Sequence, residues 1–387
     1  MVERAGLRVG VARRVITPGP EHRPIWLAGY GDRRDASTDV HDDLEVRVLW
    51  FEDHDCSVAV VVALDLMAMS RDWADAIRGA VASSVDVSVD RVLTHTIHTH
   101  AAPSTITGTD ALGWQVPHGW RDDLVAACVA AATAARDASR PARLAFTRMG
   151  LPGSLSFNRR GLAYAPTYAV LDVLAVDRDE RVATIANVGV HPVVLGPDNL
   201  AVSADWVGAC RRHVEARLGG MCVFLQGCQG DVDPHGMTWT DGPDAAFASV
   251  DRVGEDFALA IVAAVAVAMP VAGDGVSGGA VSVRRRLLTV DVAGSPLGAV
   301  ARRDTLDVEL HEWSLGGVGL VSIPGEGFAE LGARILAGRS GIPTLLCGFA
   351  PHWLGYLPVP FGEGYEEGLS YGETAVDAIA RALEVPA

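Results

Sequence analysis

Apolar and polar positions follow one recurring order along this chain: a short apolar run, an amphipathic stretch, then a second apolar run. Val58-Ala-Val-Val-Val-Ala-Leu64 is apolar at every position, as a strand covered on both faces must be. Ser70 can cap a helix in which Trp73, Ile77 and Val81 recur at helical spacing. A short strand over Arg91–Leu93 follows. The order returns from Val182 to Val190, through a helix over Asp205–Leu218, to a strand over Met221–Leu225. It returns again from Val318 to Ile323, through a helix carrying Phe328, Leu331 and Ile335 that Gly338 can close, to Thr344–Cys347. Three strand–helix–strand units predict an α/β fold in one domain, with mixed β-sheet layers covered by helices. The stretch Phe257–Met269 reads as a buried helix that ends at Pro270 and is too short to span a bilayer. The Gly-rich stretch at 270–280 is the one plausible internal boundary, read here as a loop within a single domain over 1–387.

Each unit ends in polar residues that can bind or react. Sites in α/β sheets gather at the carboxyl ends of strands. Thr94-His95-Thr96-Ile97-His98-Thr99-His100 puts three of the twelve histidines into six positions after the first unit. In an extended backbone His98 and His100 share a face, and a neutral imidazole is the commonest metal ligand. His191 precedes Pro192, which favours an extended strand end. Glu326, in Pro324-Gly-Glu326, opens a helix at a strand end; helix-dipole pairing is its ordinary role. Tyr356 and Tyr365 flank a Pro/Gly loop over Leu357–Gly364. A tyrosine hydroxyl can ligate a metal or donate to an oxyanion; packing under a loop is its plainer use. Asp231 and Asp233 lie in a polar turn, where aspartate is favoured for turn chemistry alone. Asp65, after the first strand, could orient a ligating imidazole.

Composition narrows the function. The formal net charge is −16 over 387 residues, so nucleic acid and anionic membrane surfaces are excluded as natural partners. The six cysteines form no Cys-x-x-Cys pair and read as reduced core residues. Residues 1–10 hold no apolar secretion core. With no transmembrane stretch, the expectation is a cytoplasmic protein. The run Arg284-Arg285-Arg286 reads as a solvated strand start. The sequence holds no phosphate loop, no Gly-x-Ser-x-Gly nucleophile turn and no dinucleotide glycine fingerprint. Metal-assisted hydrolysis remains.

The motifs, in their order, resemble those of the neutral/alkaline non-lysosomal ceramidase family, in a short bacterial form. The resemblance runs from Gly10-Val-Ala-Arg-Arg-Val-Ile-Thr17-Pro18 through Leu27-Ala-Gly-Tyr-Gly31 and His41-Asp-Asp-Leu44 to His98-Thr99-His100. It continues in Ser156-Phe-Asn158-Arg159-Arg160, His191-Pro192 and Phe224-Leu-Gln-Gly-Cys-Gln-Gly230-Asp231. Pro324-Gly-Glu326, Gly355-Tyr356 and Gly364-Tyr365-Glu366 complete it. The resemblance implies a Zn²⁺ site of His98, His191, Glu326 and Tyr356. It implies that His100, Arg159 and Tyr365 line the reaction centre, with Asp231 or Asp233 near the leaving amine. The implied activity is a zinc amidohydrolase of lipid metabolism that cleaves the amide of an N-acyl amine. The implied partner is a small-molecule amide.

Departures set this chain apart. The family carries serine in Gly-Asp-Val-Ser-Pro-Asn, where this chain has Asp233, then Pro234 and His235. The expectation is also that no C-terminal immunoglobulin-like domain follows the last motif. The expected substrate is therefore an amide other than ceramide itself. Other readings stay open: a true ceramidase, an ester or lactone hydrolase, a ring-forming acyl-transfer enzyme of a biosynthetic pathway, and a non-enzymatic binding module.

Overall fold

A computed structural model describes residues 6–107, 115–162, 166–177, 180–237, 239, 242–271 and 280–385. The main strands are β1 Leu7–Val15, β2 Glu45–Asp53, β3 Val58–Leu64, β4 Val92–Thr96, β5 Arg140–Gly150 and β6 Thr167–Ala175. They continue with β7 Arg181–Val188, β8 Met221–Gln226, β9 Val281–Asp291, β10 Thr305–Leu315, β11 Val318–Ile323 and β12 Thr344–Gly348. The helices used below are α1 Arg71–Val85, α2 Trp120–Asp137, α3 Asp205–Leu218, α4 Pro243–Ala266, α5 Ala329–Ala337, α6 Tyr365–Gly368 and α7 Glu373–Glu384.

The larger sheet runs in the order β8-β7-β6-β5-β1-β2-β3-β4, with Met269–Pro270 added on β5. Its outermost pairs, β3–β4 and β7–β8, are parallel, and the strands between pair antiparallel. The smaller sheet runs β9-β10-β11-β12, and only β11–β12 is parallel. A parallel pair needs a crossover between its strands. Helices α1, α3 and α5 are those crossovers, so the three expected strand–helix–strand units are all present.

The layers follow from side-chain alternation. Val58, Val60, Val62 and Leu64 of β3 face a core shared with Trp73 and Ile77 of α1, Leu124 of α2 and Trp206 of α3. The intervening Ala59, Val61 and Ala63 face Trp313, Val318 and Leu320 of the second sheet. The far face of that sheet packs Val308, Leu310 and Ile323 against Leu331 of α5 and Ile379 of α7. The result is four layers: helices, sheet, sheet, helices. Strand β3 is apolar throughout because both its faces are covered.

A polar seam joins the sheets. The Asn187 side chain of β7 donates to the Leu346 carbonyl of β12 at 2.7 Å and accepts the Leu346 N–H at 2.9 Å. His95 accepts the Gln226 N–H on Nε2 at 3.0 Å and donates from Nδ1 to the Gly348 carbonyl at 2.7 Å. The ends of both edge strands of the larger sheet, β4 and β8, therefore meet β12 at one imidazole.

Local details differ from expectation in several places. Ser70 occupies the N-terminal cap of α1, yet its hydroxyl bonds Asp72 and Thr105 rather than the helix N–H groups. Gly338 closes α5 with right-handed backbone; glycine is needed because a Cβ would lie 2.3 Å from the Glu384 carbonyl oxygen. Helix α4 ends at Ala266 and leaves Leu259 exposed, and Met269 beyond it is exposed in a short strand. The apolar stretch was thus half an amphipathic helix plus a short edge strand. Asp65 does not orient an imidazole: Arg211 holds both its oxygens at 2.7 and 2.6 Å. Arg284 and Arg285 are exposed within β9. The cysteines are free, and all but Cys56 are buried. Of the proposed boundary at 270–280, residues 272–279 lie outside the described residues, and Pro270 pairs with Ala145 of β5. Among the described residues no helix is long and apolar enough to cross a membrane.

Candidate metal centre

The first two crossover units each deliver one ligand candidate just past a strand, His98 and His191, and the third delivers Glu326 and Tyr356. Strand β4 ends at Thr96, and His98 follows with a left-handed φ of 73°. The alternation of an extended chain has stopped there, so this turn, and not a shared strand face, sets the two rings. The Nε2 atoms of His98 and His100 still converge, 3.1 Å apart. His191 follows β7 and its N–H is tied to the Val232 carbonyl at 3.0 Å. Glu326 follows β11 and pairs with Tyr356 in a two-residue parallel ladder.

His98, His191 and Glu326 are buried, and their donor atoms all lie within 4.8 Å of one another. Glu326 Oε2 is 3.3 Å from His98 Nε2 and 3.5 Å from His191 Nε2. This oxygen is buried and has no hydrogen-bond partner. The other, Oε1, accepts the Trp353 indole N–H at 2.9 Å.

Backbone carbonyls fix the imidazoles. His98 Nδ1 donates to Met67 O at 2.8 Å and His191 Nδ1 to Val232 O at 3.1 Å. A carbonyl can only accept, so the N–H sits on Nδ1 and the Nε2 lone pair faces inward. Phe349 stacks on the His98 ring with centroids 4.3 Å apart. Two inward Nε2 atoms and one unpaired carboxylate oxygen are a donor set suited to zinc. A buried orphan acceptor is costly unless a cation or donor meets it.

Tyr356 is buried, and its ring meets that of Tyr365 edge to face with centroids 5.9 Å apart. Burial, then Glu326, pushes the Tyr356 pKa well above 10. Tyr365 is 58% exposed, at the rim. His100 is buried; desolvation and then the neighbouring imidazoles hold its pKa well below 6.5, so it is neutral. Its ring rests on Gly29, whose φ of 107° and missing Cβ make room: a Cβ would lie 2.3 Å from His100 Cγ. That is the structural job of the Leu27–Gly31 motif.

Arg159 is heavily committed. It donates to Asp233 Oδ1 at 3.1 Å, to Glu366 Oε1 at 3.1 Å and to the Gly230 carbonyl. Its guanidinium carbon lies 5.4 Å from the Tyr365 ring centre. Asp233 Oδ1 is also 3.4 Å from His191 Nδ1. Asp231 is engaged on both oxygens, accepting from Asn158 Nδ2 at 2.6 Å and the Ala329 N–H at 2.8 Å. It anchors the N-terminus of α5. The sequence reading did not single out Trp353, Gly29, Phe349 or the Met67 carbonyl. Trp353 opens the same Trp-Leu-Gly-Tyr run that carries Tyr356, and the glycine lies in a named motif. Nothing in the sequence marks Phe349 or Met67. A second cluster of Glu21, His22 and Asp123 has exposed carboxylates, and both ring nitrogens of His22 already have partners.

This four-layer arrangement occurs in solved structures. It is the neutral ceramidase fold. The chain superposes on neutral ceramidase from Pseudomonas aeruginosa with a TM-score of 0.81 at 17% sequence identity, over 98% of this chain and 74% of that one. A ceramidase complexed with C2 gives 0.80 at 17% identity, with the same coverage of both chains. No family model matches the sequence, and no curated protein matches it.

Proposed function

We propose that this protein is a zinc-dependent amidohydrolase that cleaves a linear N-acyl amine other than ceramide. The observation that carries this reading is the buried, unpaired Glu326 Oε2 between two inward-facing Nε2 atoms. His98, His191 and Glu326 would hold the ion, with Tyr356 as the fourth ligand, its backbone being paired with Glu326. A bound Zn²⁺ supplies a Lewis acid and lowers the pKa of water toward neutrality.

The remaining roles follow from the side chains. His100 is neutral and its Nε2 faces the same space as that of His98. It can take up a proton there and deliver it to the leaving amine. Tyr365 keeps its proton, because partial desolvation at the rim raises its pKa from the usual value against the pull of Arg159. Its hydroxyl can donate to the oxyanion that forms on the substrate carbonyl. Arg159 acts on that charge through its field and by holding Asp233, since its N–H groups are largely used. Asp233 steadies His191 and Arg159. Asp231 belongs to the frame and not to the chemistry.

The fold and the ordered motifs support amide cleavage; Asp233, in the serine position of the ceramidases, argues against ceramide. Elemental analysis of purified protein, with a His98→Ala/His191→Ala variant beside it, tests the metal. Zinc in the double variant at wild-type occupancy would reject the site. A panel of N-acyl amines with long and short chains, and matched esters, tests the substrate. We expect short polar amides to be preferred. A preference for ceramide would make the protein a true ceramidase, and a preference for the esters would reject amide chemistry.

A further inference from the structure

We infer that Trp353 is a positioning residue of the candidate metal centre, holding Glu326 to a single donor oxygen. The inference rests on the metal reading above. A carboxylate can meet a cation through one oxygen or both. Here the indole N–H occupies Oε1 at 2.9 Å. Oε2 is left alone between His98 and His191. One oxygen beside two imidazoles suits a small tetrahedral ion. A larger cation such as Ca²⁺ takes more oxygens, often both from one carboxylate. The indole therefore favours zinc over calcium by geometry as well as by donor type.

The placement of Trp353 is coupled to that of His98. Its backbone N–H donates to the Met69 carbonyl at 2.8 Å. Two residues earlier, the Met67 carbonyl receives His98 Nδ1 at 2.8 Å. Met67, Ala68 and Met69 are buried. The Trp353 ring packs on the cluster of Ala28, Met67, Ala68, Ile106 and Phe349, and Phe349 stacks on His98. One buried strap after β3 thus sets a ligand ring and the indole that orients the opposing carboxylate. Partners of this kind change metal affinity when removed, by roughly 10–100-fold.

The test compares full-length wild type with Trp353→Phe, which keeps an apolar ring and removes the N–H. Apoprotein is titrated with Zn²⁺ against a chelating indicator, and separately with Ca²⁺. Thermal unfolding of both apoproteins is measured in parallel. The expected result is a Zn²⁺ affinity about 10–100-fold weaker in the variant, a smaller preference for Zn²⁺ over Ca²⁺, and similar apoprotein melting. Equal Zn²⁺ affinity in the two proteins overturns the inference while leaving the metal site standing. A loss of affinity matched by an equal loss of apoprotein stability assigns a merely structural role and also overturns it. No cation binding by wild type overturns both the inference and the metal reading. Should the variant not fold, wild type labelled with ¹⁵N at the indoles decides. One indole N–H resonance shifts in proportion to Zn²⁺ loading, and no such shift overturns the inference.

Discussion

Glu326 and Tyr356 are register partners in a parallel ladder only two residues long. The ladder is too short to stabilise a sheet, but it brings two ligand candidates from different loops to one spot. Its neighbours are equally constrained: Gly325 has a φ of 156°, and a Cβ there would lie 2.3 Å from the Gly355 carbonyl. The Pro-Gly-Glu and Leu-Gly-Tyr motifs are thus two halves of one junction.

Zinc should stabilise the folded chain through this junction. An ion that binds the native state alone adds about 2.7 kcal/mol at a free concentration 100 times its Kd. Wild type should melt higher with Zn²⁺ than with chelator. Glu326→Gln should lose most of that difference, because an amide is a poorer partner for the ion. Scanning calorimetry of both proteins, with and without Zn²⁺, provides the check.

Gly29→Ala should damage His100 without removing the metal. The added Cβ meets the imidazole at 2.3 Å, at a backbone φ that alanine disfavours. The cost is about 1–3 kcal/mol of stability. We expect hydrolysis to fall by about 100-fold or more, the lower end of what a general acid–base group contributes. Zinc content should be retained, since His98 is anchored on Met67. Loss of zinc in this variant would contradict the division of roles.

Asp233→Asn keeps the shape but removes the charge that faces Arg159 and His191. Arg159 retains Glu366, so the expected loss of stability is moderate, about 1–3 kcal/mol. Urea unfolding measures it. Zinc affinity should weaken with it, by roughly tenfold, the lower end for a partner behind a ligand. An affinity equal to wild type would show that Asp233 does not act through His191.

His95 predicts a pH dependence of stability. Burial depresses its pKa from 6.5 to about 4, against the backbone bond to Gly348. The unfolded chain then binds a proton in the window between those values and the folded chain does not. Stability must fall as pH drops from 6.5 toward 4, by up to ~3 kcal/mol. Asp205 works in the opposite direction: burial raises its pKa to about 6, so its term weakens the fold as pH rises from near 4 to 6. The difference between wild type and His95→Gln isolates the histidine. In denaturant titrations the wild-type advantage should shrink as pH falls through this window. An advantage independent of pH would refute the assignment.

Much of this architecture was legible in the chain. Strand β3, helix α3 and strand β11 lie at the residues their patterns indicated, because local periodicity reports which faces are covered. Convergence of His98, His191 and Glu326 was legible only through the order of motifs. No local rule connects positions so far apart. What escaped was set by contacts across the fold. Asp231 reads as a turn residue, and the chain gives no sign that its oxygens meet Asn158 and the start of α5. Asp65 reads as a partner for an imidazole, but Arg211 meets it from α3. His98 and His100 converge as expected, though through a left-handed turn and not by strand alternation. Trp353 carried no motif of its own.

The seam of Asn187 and His95 bears on how accurately this protein can be built. His98 and His191 hang from one sheet, Glu326 and Tyr356 from the other, and the faces between those sheets are oily. Greasy surfaces tolerate sliding, because their attraction has no direction. Hydrogen bonds do not, since a few tenths of an ångström spoil them. The Asn187 amide and the His95 ring act like dowel pins between two machined plates. Tolerances at the candidate metal centre are then inherited from two polar side chains that are not among its candidate ligands.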